Sequence, residues 1–168
     1  MVTERGVANP EDGGLIFGAG RKRIEPDTLI QLDGTPRPMT ETETRNRRIV
    51  ETICQAFNDH DPDGIVDHFA DDSVWLLSRG TPPDGATLRG KAEIREMIVQ
   101  RFASIPDIAW EIHNHWAGGD RACSEWTVTG TEANGNRLEW LGCDLWLLNE
   151  DGQVLRKDTY WKYAGGES

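Results

Sequence analysis

Cysteine is scarce in this chain: Cys54, Cys123 and Cys143 are all there is, and none falls in a CxxC pair or a zinc-ligand spacing. An odd count also argues against the disulfide framework of a small secreted protein, so the three read as buried thiols. Positive charge is short as well. Lysine and arginine total 18 against 29 aspartates and glutamates, a net charge of -11. A surface this acidic repels nucleic acid and anionic membranes, which removes both from the expected partners. No apolar run approaches the roughly 20 residues that span a bilayer, and no charged, apolar, small-residue sequence marks export. A cytoplasmic protein is the expectation. Phe17-Gly-Ala-Gly-Arg-Lys-Arg23 is glycine-rich and basic, but no strand precedes it and the GxxxxGK[ST] spacing is missing, which argues against a phosphate loop.

With 168 residues, 37% hydrophobic, the chain has material for one core and no room for a second large domain. Composition changes near residue 40. Residues 1–40 are rich in glycine and proline without clear periodicity and read as an extended arm or linker, either packed on a partner subunit or lying upstream of an ordinary start at Met39. Residues 41–164 carry regular signals, and 165–168 form a tail. Thr42 or Thr44 caps a helix through about Asn58, with Ile49, Ile53, Ala56 and Phe57 on one face. Asp61-Pro-Asp-Gly64 starts a shorter helix holding Ile65, Val66 and Phe69 and closed by Asp71-Asp72. A strand over 73–78, a proline-glycine loop over 80–87 and a helix over 91–103 follow. Four strands are expected at 108–117, 121–131, 136–148 and 154–163, with turns at Asn134-Gly135 and Asp151-Gly152. The order is that of an α+β domain with helices on one face of a curved antiparallel sheet.

Asp144 stands inside Leu138-Glu-Trp-Leu-Gly-Cys-Asp-Leu-Trp-Leu-Leu148, where water is expected to be scarce. A buried carboxylate without partners costs several kcal/mol, so the site must supply hydrogen bonds, raise its pKa or open onto a cavity. Both faces of this strand are largely apolar, which predicts cover on each side and a homodimer through the sheet. If Asn134-Gly135 is a strict two-residue turn, Glu125 lies opposite Asp144 and two carboxyls share the site. A three-residue turn or a bulge instead brings Trp126 to that face and sends Glu125 away. Seven tryptophans are many for this length. Trp75, Trp126, Trp146 and Trp161 have parities compatible with a pocket, while Trp110, Trp116 and Trp140 suit either face. Among the histidines, His60 and His68 read as exposed. His113 and His115 alternate on one strand beside Glu111, but no third ligand completes a metal site, so His115 reads as a proton shuttle.

Gln55-Ala-Phe-Asn-Asp-His-Asp-Pro-Asp-Gly-Ile-Val-Asp-His-Phe-Ala-Asp-Asp-Ser-Val74, Leu88-Arg-Gly-Lys-Ala-Glu-Ile-Arg95, Gly142-Cys-Asp-Leu-Trp146 and Glu150-Asp-Gly152 together resemble the NTF2-like superfamily, in its SnoaL-like and ketosteroid-isomerase-like branch. The resemblance covers about residues 45 to 163. It implies an NTF2-like cone, three helices packed on a curved, mostly antiparallel sheet enclosing an apolar pocket, and a dimer through the sheet. It also places Asp144 at the oxyanion-hole aspartate of ketosteroid isomerases. Their general-base aspartate falls on Leu77 and their oxyanion tyrosine near Ile53, so steroid isomerisation is not implied. The Arg-x-Asp pair of the similar limonene-epoxide hydrolases falls on Trp126-Thr-Val128 and their second aspartate near Thr159. Asp158 lies one residue away, and a register shift of one would restore it. The family alignment favours the register that turns Glu125 away from Asp144.

The expected protein is a cofactor-free, metal-free acid–base enzyme acting on a small apolar carbonyl or cyclic substrate, of isomerase, cyclase or dehydratase type. Asp144, Glu125 and His115 are its candidate catalytic residues. Trp75, Leu77, Trp126, Trp146, Trp161, Ile53 and Phe57 are the candidate pocket walls. The alternatives are an epoxide hydrolase of the limonene-epoxide-hydrolase type and a non-catalytic ligand-binding or assembly module.

Overall fold

Val50, Ile53, Cys54 and Phe57 recur at the three- and four-residue spacing of a helix, and together they bury one face of α1 (Glu41–Asn58). The computed structural model describes residues 28–30, 36–81 and 83–162. Those of residues 41–162 form one unit, and the short hairpin of β1 (Thr28–Ile30) and β2 (Pro36–Pro38) belongs to another. That hairpin is regular structure in a segment expected to be an extended arm. The glycine-rich stretch Phe17–Arg23, Tyr163 and the tail 165–168 lie outside the described residues.

Helix α1 starts ahead of both threonines proposed as its cap, leaving Glu41 and Glu43 in the first turn, where the helix dipole favours carboxylates. Asp61 caps α2 (Pro62–Val66), accepting from the Gly64 amide at 3.0 Å, and Pro62 occupies the position where a missing N–H costs nothing. The second helix is shorter than expected. Strand β3 (Phe69–Leu76) already begins at Phe69, because its pairing slips between Phe69 and Val74 and leaves Asp71 and Asp72 in solvent inside the strand. The following loop ends in a three-residue strand, β4 (Thr87–Arg89), paired with Val74–Leu76. Helix α3 (Gly90–Ser104) then leads into β5 (Ala109–Gly118), β6 (Arg121–Thr131), β7 (Arg137–Leu148) and β8 (Val154–Trp161).

The six strands run in the order β4-β3-β8-β7-β6-β5, antiparallel except where β3 meets β8. The helices pack on the face that carries Trp75, Trp126, Asp144 and Trp146, so this α+β sheet and helix layer have the expected architecture. The other face shows Trp116, Leu141, Leu145 and Tyr160 half to solvent. Cys54 and Cys123 are buried, Cys143 is half-buried, and all three are free thiols.

One polar knot ties α1 to the ends of the sheet. Asn46 is fully buried and donates to the Gly119 carbonyl in the β5–β6 turn at 3.1 Å, while its own oxygen accepts from Arg45. Arg45 also donates to the carbonyls of Asn149 and Glu150 in the β7–β8 turn. Asn46→Ala strands buried polar groups on both sides, so it is expected to cost about 1–3 kcal/mol, seen as a lower urea midpoint at unchanged slope.

Candidate active site

The register of β6, β7 and β8 aligns Ser124, Asp144 and Thr159 across the helix-covered face, and the pleat adds Lys157, two residues before Thr159. Asp144, Lys157 and Thr159 are 5%, 2% and 9% exposed, so the three polar groups satisfy one another. Lys157 Nζ contacts Asp144 Oδ1 directly and donates to Thr159 Oγ1 at 2.8 Å. Thr159 donates to Asp144 Oδ1 at 2.7 Å and accepts from Trp75 Nε1 at 2.8 Å. Trp126 Nε1 donates to the other carboxylate oxygen, Oδ2, at 2.9 Å. The site supplies Asp144 with hydrogen bonds and also opens onto a cavity.

Lys157 is the residue that sequence reasoning missed. Its Nζ lies 4.1 Å from the Trp75 ring centroid and 5.0 Å from that of Trp146, a cation held among aromatic faces. Burial pushes its pKa below the ordinary lysine value, and the neighbouring carboxylate of Asp144 pulls it back only in part. A legible signal existed: Lys157 shares strand parity with Trp161, already read as a pocket wall. On α1 above, burial and the charge of Asp144 push the Cys54 thiol up to about 12, so it stays protonated and unreactive.

The carboxylate and the ammonium line the floor of a partly open, largely apolar cleft. Of the expected walls, Phe57, Trp75, Leu77, Trp126 and Trp161 line it. Trp110 and Trp140 join them from the same sheet face. Two expected walls do not. Ile53 is fully buried in the core, and Trp146 packs edge-on against Phe69 with its Nε1 donating to Ser124 at 3.0 Å.

Glu125 points the other way. Glu132 and Asn136 are bonded across the β6–β7 turn with Gly135 at φ +85°, so the turn spans three residues, and Ser124 rather than Glu125 faces Asp144. His115 lies on the helix-covered face, but its Nδ1 meets Ser124 Oγ at 2.9 Å and it makes no contact with Asp144. Burial lowers its pKa, against an opposing pull from Glu51. A bulge between Ile112 and Asn114 separates the two strand histidines: His113 sits on the outer face with Nε2 2.8 Å from Thr127 Oγ1. They cannot chelate one ion together. His60, expected in solvent, is partly buried, stacked on Phe102 at 4.4 Å with Nε2 2.8 Å from the Ile108 carbonyl oxygen. Asp158 is on the outer face, bonded to Arg156 and Tyr160, so the register does not restore it to the cleft.

Gly142 explains how Trp126 reaches Asp144. A Cβ there would stand 2.4 Å from Trp126 Cη2 and 2.5 Å from the Tyr160 carbonyl oxygen, so the indole can cross β7 only over a glycine.

A helix layer over a curved, mostly antiparallel sheet with a deep apolar cleft is the NTF2-like architecture. Residues 50–157, more than half of the chain, match the family described as SnoaL-like domain, and the chain belongs to that family. Similar solved structures include a candidate polyketide cyclase from Xanthomonas campestris pv. campestris, 22% identical, with a TM-score of 0.64 over 73% of this chain and 93% of that one. TerC, co-crystallised with polyporic acid, is 20% identical with a TM-score of 0.61 over 70% and 92%. SalBIII, an epoxide hydrolase/cyclase-like enzyme in pyran ring formation in the polyether salinomycin, is 19% identical with a TM-score of 0.62 over 71% and 92%. At such identities the likeness establishes the fold. No curated protein matches the chain significantly in sequence. Among the described residues, no helix is long and apolar enough to cross a membrane.

Removing one member of a buried ion pair leaves the other charge uncompensated, so Lys157→Met is expected to cost about 3–5 kcal/mol, and adding Asp144→Asn should recover part of that loss. The pH dependence has a definite sign. Between the lowered folded-state value and the ordinary 10.5, the unfolded chain holds the Lys157 proton that the folded chain has released, so stability rises with pH across that window. Urea titrations over alkaline pH should give the wild type a more positive slope of stability against pH than Lys157→Met, the difference being the Lys157 contribution.

Proposed function

We propose that the protein is a cofactor-free acid–base enzyme that moves a proton on a small apolar carbonyl substrate, cyclic or unsaturated, in an isomerase, cyclase or dehydratase reaction. The observation that carries this reading is the Asp144–Lys157–Thr159 cluster at the floor of a tryptophan-lined cleft. An ammonium has three N–H donors, and Asp144 and Thr159 take two of them from Lys157, which leaves one for a substrate carbonyl oxygen. Asp144 takes the proton from the carbon beside that carbonyl, the C–H electron pair moves onto oxygen, and the enolate rests against the Lys157 charge. Return of the proton to another carbon isomerises the substrate. Delivery of the proton to a β-hydroxyl, which leaves as water, dehydrates the substrate, and its delivery to the alkoxide formed when the enolate attacks a second carbonyl completes ring closure. The indole of Trp126 holds Asp144 Oδ2 in place and the apolar walls exclude water. In this reading Lys157 takes the part first given to Glu125 and His115.

Epoxide opening is the second reading, favoured by the likeness to SalBIII. Lys157 would protonate the leaving oxygen while Asp144 activates a hydroxyl. A homodimer through the outer sheet face belongs to the same proposal, supported by Trp116, Leu141, Leu145 and Tyr160, each 40% to 52% exposed. Sedimentation equilibrium is expected to give twice the chain mass, and Leu145→Arg is expected to shift it to the monomer.

The catalytic reading is tested without knowing the natural substrate by following hydrogen–deuterium exchange beside the carbonyl of β-tetralone in heavy water by NMR. Wild type should accelerate exchange, and Asp144→Asn should reduce the acceleration by about 10²–10⁴-fold. Exchange at the buffer rate with protein that binds β-tetralone would sink the enolisation mechanism and leave a binding protein.

A further inference from the structure

Two cations at this cleft are left over by the proton chemistry. Arg101, in the last turn of α3, and Arg79, in the loop after β3, both line it. Neither has an acidic partner among the described residues. Arg101 is half-buried, and burial together with the charge of Arg79 lowers its pKa, the signature of two like charges held near each other in a poorly solvated place. Arg79 lies over the aromatic wall, its guanidinium carbon 4.7 Å from the Trp140 ring centroid and 5.1 Å from that of Trp161. A cation–π contact uses the charge of a guanidinium and not its N–H donors, and those of Arg79 meet no acceptor among the described residues.

The charges lining the cleft are Asp144, Lys157, Arg79 and Arg101, so they sum to +2 (three cations less one anion) in a chain whose net charge is -11. Asp144 and Lys157 neutralise each other, and the surplus belongs to the arginines. Acidic residues are plentiful elsewhere, yet none of the described ones pairs with them. A planar fork of donors beside two indoles fits a carboxylate attached to a ring.

We infer that the ligand of this cleft is an anion, a ring-bearing carboxylate, with its carboxylate held by Arg79 and Arg101, its ring against Trp140 and Trp161, and its carbonyl directed toward Lys157 and Asp144. This rests on the acid–base reading for the carbonyl end and adds the charge of the substrate. It also explains how so acidic a protein attracts an anion: the favourable field is confined to the cleft.

Tryptophan fluorescence titrations with acetylnaphthoate and its neutral parent acetylnaphthalene test it, with calorimetry as a check on the constants. Acetylnaphthoate should bind at least about tenfold more tightly, as expected for hydrogen bonds to a charged group, and the preference should shrink as salt is added. Arg79→Gln and Arg101→Gln should each reduce the ratio of acetylnaphthoate to acetylnaphthalene affinity, and the double variant should erase that preference. The salt series on wild type reads the same preference with no substitution. Equal affinity for the two probes, or a preference that survives the double variant, would overturn the inference while leaving β-tetralone exchange intact. Failure of both probes to bind, together with absent exchange, would overturn the acid–base reading as well.

Discussion

Burying a lysine and an aspartate side by side constrains everything around them. Either charge alone in an apolar interior would be prohibitive, and the pair is tolerable only when the remaining donors and acceptors are matched. Here the matching is supplied by Thr159 and by two indole N–H groups, from Trp75 to Thr159 and from Trp126 to Asp144. Those contacts fix the registers of β6, β7 and β8, since a slip of one residue would turn Asp144 or Lys157 outward. They also require a glycine at 142, where any side chain would meet the indole of Trp126.

The aromatic walls follow from the same constraint. Trp75 and Trp126 each present an N–H to the polar floor and a ring to the cleft, so they satisfy the carboxylate without admitting water. Beyond them Trp140 and Trp161 pack at 4.7 Å and carry Arg79 on their faces. The cleft therefore combines an ion pair, aromatic surface and surplus positive charge held by two arginines.

Much of the fold was legible because its signals are local. Helical spacing of Ile49, Ile53, Ala56 and Phe57, the Asp61-Pro62 start and the turn glycines located most elements within a residue or two. Errors arose where pairing overrode local cues. Asp71 and Asp72 look like a helix end but sit in a strand whose ladder slips there, and the bulge after Ile112 turned His115 to the face opposite Glu111 and His113. Asp144 was visible as a carboxylate out of place in an apolar run. Lys157 was overlooked: its parity with Trp161 pointed to the cleft, but it stands in a run of three charged residues, Arg156-Lys157-Asp158, and the aspartate beside it appears only with the strand register. Nor could the sequence decide the status of Glu125, which depended on one residue more or less in the turn at Asn134-Gly135.

The central claim is that Lys157 is a poorly solvated ammonium governed by Asp144, and it is read most directly from the titration of lysine side chains labelled at Cε, with Lys157 assigned by its loss in Lys157→Met. The account predicts a midpoint for Lys157 below the ordinary lysine value, falling further in Asp144→Asn, because the carboxylate is what supports the charge against burial. A Lys157 signal that titrates at the ordinary value and ignores Asp144→Asn would contradict it.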